Sequence, residues 1–126
     1  MVDNAGKKEY NTGIIQKSSH SNYSAETQRD LVLDTAENLT QIGQWSLQSF
    51  SRERSRIELF LKLTRKNLNA LSNFPLSPTF DPSFKKFSNS FTRLEKQYRE
   101  GIVDPENWAH GMLVSATTLT QSVKFI

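Results

Sequence analysis

At 126 residues the chain is long enough for one domain with a real core, needing neither a metal nor a disulfide to staple it. A composition of 36% hydrophobic and 23% charged residues is that of a soluble globular protein, and the lack of cysteine excludes a disulfide framework, a zinc finger and a thiol nucleophile. The net charge of +3 is unevenly spread, at −2 over residues 1–49, +6 over 50–100 and −1 over 101–126, so the middle third is the candidate surface for anions.

No charged-then-apolar leader opens the chain, and no apolar run nears the roughly 20 residues that span a bilayer. A cytoplasmic protein without integral membrane association is expected. Residues 1–23 lack periodicity and hold a single apolar pair, Ile14-Ile15, among Asn, Ser, Lys and Gly. So little apolar surface does not repay ordering, and a flexible polar tail is expected ahead of one helical domain over 24–126.

Ser24 is placed to cap a first helix, with Glu26, Asp30 and Asp34 near the positive end of its dipole. Leu31, Val32, Ala36, Leu39, Ile42 and Phe50 then recur at helical spacing. Gly43 costs about 1 kcal/mol of helix propensity relative to Ala. Its place seven residues after Ala36, on the same face, instead suggests close approach of a second helix. Ile57, Phe60, Leu61, Thr64, Leu68 and Leu71 continue the pattern, with no Pro in between. Two arrangements are open. One is a single helix of about 47 residues, near 70 Å long. The other is a chain reversal within Gln48–Ser55.

Pro75 and Pro78 make 72–80 a connector, whose Phe74, Leu76 and Phe80 are expected to fold over the helix ends. Asp81-Pro82 reads as a cap followed by a first-turn proline. Phe84, Phe87, Phe91, Leu94 and Tyr98 follow at steps of three and four, an aromatic seam suited to a core. Gly101 is expected in the left-handed position that ends a helix, with Ile102 making the accompanying apolar contact. Asp104-Pro105 then starts a last helix, expected to reach Ile126 and to run antiparallel to 82–100. Its Ala109, Met112, Ala116, Leu119, Val123 and Ile126 form one apolar stripe. The other side offers His110, Val114, Thr117, Thr118, Gln121 and Ser122, and no charged residue falls between Asn107 and Val123. A helix so poor in charge is usually covered on more than one side. The expected fold is all-α: a small bundle of three or four helices with a C-terminal antiparallel hairpin.

Catalytic, cofactor and metal sites are not expected. His20 and His110 are the only histidines and have no second histidine at ligand spacing, and Asp30, Asp34 and Glu37 at i, i+4 and i+7 read as a solvated face. A di-iron ExxH pair, a phosphate-binding Gly-rich loop and a GxSxG elbow are all missing from the sequence. The candidate partner interface is Leu59 and Leu63, which point away from the apolar face of their helix, together with Val114, Thr117, Thr118 and Gln121. The candidate anion or nucleic-acid patch is Arg52, Arg56, Lys62, Lys66, Lys85, Lys86, Arg93, Lys96 and Arg99. These features favour a non-catalytic helical assembly or adaptor protein that forms a homo-oligomer or holds a protein partner. A small helical nucleic-acid-binding subunit using residues 50–100 is the alternative. An amphipathic coat on a membrane or granule surface is the weaker third reading, because no long exposed apolar face backs the basic ones.

Overall fold

Four helices carry the described residues: α1 (His20–Ser49), α2 (Arg54–Leu71), α3 (Phe80–Glu100) and α4 (Pro105–Gln121), with a closing 3-10 turn over Ser122–Phe125. The computed structural model describes residues 20–126, and their side chains from residue 27 onward. Most of the expected polar tail, residues 1–19, lies outside the described residues, and no strand occurs among them. The fold is all-α, as the periodicity requires.

α1 is the spine. It packs along α4 on one flank and α2 on the other, while α3 completes the bundle against α4. Val32, Leu39 and Ile42 of α1, Ile57, Leu68 and Leu71 of α2, Phe80 and Phe91 of α3, and Met112 and Leu119 of α4 are fully buried in one cluster. At about 1.5–3 kcal/mol for each buried aliphatic or aromatic side chain, this cluster is the main term that offsets chain entropy. Closest approach is between α1 and α4. A Cβ built on Gly43 would sit 2.7 Å from Leu113 Cγ and 3.2 Å from the Ala109 carbonyl oxygen. The small face of Ala36 and Gly43 therefore does admit a second helix.

The sequence left open one long helix or two; the chain reverses after Ser49. Phe50 turns inward between Tyr98 and Trp108, with ring centres 6.0 Å from each, both edge-on. Just beside the reversal Trp45 and Phe60 stack edge-to-face at 4.9 Å and hold α1 against α2. The turn carries its own hydrogen bonds, Glu53 N–H to the Ser49 carbonyl and Ile57 N–H to the Glu53 carbonyl, both 3.0 Å.

Three helix boundaries differ from expectation. α1 begins at His20, so Ser24 lies inside it and is not its cap, and residues 20–23 of the expected tail are helical backbone. α3 begins at Phe80 and not at Pro82. Ser77 accepts from the Phe80 N–H through its hydroxyl (3.1 Å) and through its carbonyl (3.1 Å), which starts the helix early. Asp81 falls in the first turn and pairs with Lys85 at 3.0 Å. α4 stops at Gln121, where the last turn tightens to 3-10 geometry, as helix ends often do. Ser122, expected on the open side, is buried, with its hydroxyl on the Leu119 carbonyl at 2.7 Å.

The α3–α4 hairpin is as read. Gly101 has φ +104°, a conformation that side chains resist, though its ψ of 119° is extended and lies outside the left-handed helical region. Ile102 packs against the core beside it. Asp104 caps α4 by accepting the Asn107 N–H at 3.1 Å, with Pro105 at the first position. Trp108 ties the hairpin by donating its indole N–H to the Leu94 carbonyl at 3.0 Å.

Candidate functional surfaces

The outer side of α4 is open. α1 covers the flank of Ala109 and Leu113, and α3 covers the flank of Trp108 and Gly111, where an added Cβ would meet Leu94 Cδ2 at 3.0 Å. Between the two flanks His110, Val114, Thr117, Thr118 and Gln121 all face solvent, with Val114 64% exposed. The helix is thus covered on two sides while its outer stripe stays bare. No other part of the described chain crosses that stripe.

Two threonine hydroxyls on this side of α4 are satisfied within the helix. The Thr117 hydroxyl donates to the Leu113 carbonyl at 3.1 Å and the Thr120 hydroxyl to the Ala116 carbonyl at 2.9 Å, so covering them strands no hydroxyl donor. On the neighbouring edge of α1, Thr40 and Leu47 lie one turn either side of Gly43. Thr40 is satisfied by the Ala36 carbonyl at 3.0 Å, and Leu47 is exposed.

Leu59 and Leu63 stand clear of the core, as their wheel position implies, Leu59 being 53% exposed. They lie on the outer face of α2, and no shared surface with the α4 stripe is evident from their helices. The six residues of the candidate interface therefore form two sites, not one.

The nine candidate cations are all exposed. Arg52 and Arg56 flank the α1–α2 turn, where both pair with Glu53, at 3.7 and 3.4 Å, and Arg56 lies over the Trp45 ring at 5.7 Å. Lys62 and Lys66 lie one turn apart on the outer face of α2. On α3, the 100° step per residue turns Lys85, Lys96 and Arg99 toward the α2 side, and Lys86 and Arg93 toward the α4 side. Lys85 and Lys96 pair within α3, with Asp81 at 3.0 Å and Glu100 at 3.8 Å. Among the described residues Lys62, Lys66, Lys86, Arg93 and Arg99 have no ion pair.

Side chains, more than backbone packing, join α2 to α3. Arg65 forks onto Glu95, with Nε on Oε2 at 3.3 Å and Nη2 on Oε1, and Nη2 reaches Thr92 Oγ1 at 3.2 Å. Its guanidinium also lies 5.2 Å from the Phe91 ring centre. Tyr98 donates its hydroxyl to Glu58 Oε2 at 2.8 Å, beneath the Arg54 guanidinium at 5.7 Å. Burial, and then the hydrogen bond to Glu58, push the Tyr98 phenol up to about 12. These bridges leave a cavity of about 380 Å³ lined by Glu58, Leu61, Lys62, Arg65, Glu95, Tyr98 and Arg99. Sequence reasoning put Tyr98 in the core seam and gave Arg65 no partner. Pairs 30 and 40 positions apart give no local signal by which they could have been matched.

His110 is solvent-exposed, and the side chain of His20 lies outside the described residues. No group of three or more metal-binding side chains occurs among the described residues. No described helix is long and apolar enough to cross a membrane. Comparison with family models, curated proteins and solved structures finds no match to this chain.

Proposed function

We propose that this chain is a non-catalytic helical assembly protein, an adaptor built on self-association through the outer stripe of α4. One observation carries the reading: Val114 stands 64% exposed in a stripe without charge, beside a threonine whose hydroxyl is already satisfied within its own helix. Apolar and self-satisfied polar groups lose little on dehydration, whereas charged side chains, the usual cover of a solvated helix, would cost several kcal/mol each. Such a surface suits the same surface on a second copy, because it carries no Asp, Glu, Lys or Arg to oppose one, and the Thr118 hydroxyl and Gln121 amide are each both donor and acceptor, so they match their own kind across a two-fold. Two-fold pairing is the commonest outcome of a self-complementary face. α4 is about 26 Å long at 1.5 Å per residue, and the Thr40–Leu47 edge of α1 widens the strip to two helices. That brings it toward the scale of a standard interface, roughly 800 Å² per partner.

The test is native mass. Thr117→Glu with Gln121→Glu places two charges one turn apart in the middle of the stripe, and should dissociate the assembly while leaving helicity intact. A wild type that is monomeric at high protein concentration and high salt would refute the reading.

A further inference from the structure

Beyond the α4 stripe, we infer that the α2–α3 groove receives the acidic edge of α1 from a second copy of the chain. The groove has an apolar floor of Leu61 and the Tyr98 ring. Its two carboxylates are engaged from within: Glu58 takes the Tyr98 hydroxyl and faces Arg54 at 3.6 Å, and Glu95 is held by Arg65. Lys62 and Arg99 line the same cavity without an ion pair among the described residues, and Lys66 extends the row by one turn. The balance left at the mouth is positive.

The acidic edge is the complementary feature. Asp30, Asp34 and Glu37 are exposed on one side of α1, and none has a hydrogen bond or an ion pair among the described residues; Arg29, beside them in sequence, is unpaired in the same sense. The helix dipole does not account for them. α1 starts at His20, so Asp30 lies well beyond the first turn, where the dipole's effect has faded. Asp30 and Asp34 at i and i+4 instead repel each other by a few tenths of a kcal/mol. An exposed Leu33 lies next to them, an apolar side chain suited to the Leu61–Tyr98 floor.

The two rows share a repeat. Asp30 to Asp34 and Lys62 to Lys66 are each one helical turn, about 6 Å of rise. They cannot meet within one molecule, because the α1 edge points outward and the groove lies across α2 on α3. The contact is therefore between copies, and it joins two different surfaces, so it runs head to tail into a ring or an open chain.

Charge exchange tests this in the full chain. At about 20 mM salt the wild-type mass should exceed that at about 500 mM, where exposed charges are screened. Lys62→Glu with Lys66→Glu in one variant, and Asp30→Lys with Asp34→Lys in another, should each weaken the salt-sensitive step about tenfold or more. Mixed together, the two variants should associate again, because each then offers the surface the other lacks. A single chain carrying all four changes should do the same, which separates loss of contact from loss of fold. A wild-type mass that does not change with salt overturns the inference. So does a mixture that stays dissociated while the four-change chain is folded, or a groove variant whose only loss is affinity for a short DNA duplex. The α4 contact has no charges and persists at high salt, so Thr117→Glu with Gln121→Glu leaves the salt-sensitive step in place, and the two interfaces fail independently.

Discussion

Gly43 is where the distance between α1 and α4 is set. Replacing it with alanine gains about 1 kcal/mol of helix propensity. The new Cβ, however, would lie 2.7 Å from Leu113 Cγ and 3.2 Å from a backbone oxygen that cannot move alone. Overpacking of that kind costs about 1–3 kcal/mol. The net expectation is a loss of about 1 kcal/mol for Gly43→Ala and a larger one for Gly43→Val, read from urea unfolding; a stabilised Gly43→Ala protein would contradict the close α1–α4 contact. Tyr98 makes a prediction in pH. Its phenol holds its proton up to about 12 in the folded chain, against about 10 unfolded. Between those values the unfolded chain has released the proton and the folded chain has kept it, so stability falls as pH rises across that window and is undiminished below it. Relative to Tyr98→Phe, which cannot ionise, the wild-type advantage should be constant below about pH 10 and shrink toward 12. Parallel stability curves for the two proteins would remove the phenol from the balance.

At the scale of elements, the α1–α2 reversal depends on Phe50 more than on the polar residues after it. The ring is half-buried and meets Tyr98 and Trp108, which belong to different helices, so it joins the turn to the α3–α4 hairpin. Phe→Ala in a full core costs about 3–5 kcal/mol, and a half-buried ring should lose about 2–3. Phe50→Ala should lower the melting temperature accordingly while Ser51→Ala, at an exposed position, leaves it unchanged. Equal effects at the two positions would mean the turn is held by its backbone alone. This element also shows where sequence reading stopped. The seams of α2, α3 and α4 were legible because burial repeats at steps of three and four along one helix. The Asp104-Pro105 start was legible because a cap is a local contact. The reversal was not, because partners distant in sequence hold it, Tyr98 and Trp108 for Phe50; the Ser77 loop ahead of α3 is likewise tied to the distant Phe125 carbonyl. The candidate surfaces divide in the same way. A missing charge on α4 can be counted from the sequence, while the pairing that neutralises Arg65 through Glu95 cannot.

For the whole molecule, the four helices leave an arrangement of surfaces that is uneven in chemistry: a charge-free stripe on α4, a cationic groove between α2 and α3, and an acidic edge on α1. If the α4 stripe joins two copies, folding and association are one linked equilibrium, because the partner binds the folded chain and not the unfolded one. Each tenfold rise in protein concentration then adds about 1.4 kcal/mol per dimer to the folded side. For a dimer of two domains this size, that is a rise in melting temperature of about 3–5 °C per tenfold concentration. The measurement belongs at high salt, where the groove contact is screened and only the uncharged stripe can respond. The Thr117→Glu with Gln121→Glu protein should melt at one temperature whatever its concentration, a few degrees below the dilute limit of the wild type, since both positions are exposed in the single chain and two like charges one turn apart at a helix C-terminus cost about 1 kcal/mol. A wild type whose melting temperature is flat from micromolar to millimolar concentration would mean that α4 stays bare in solution.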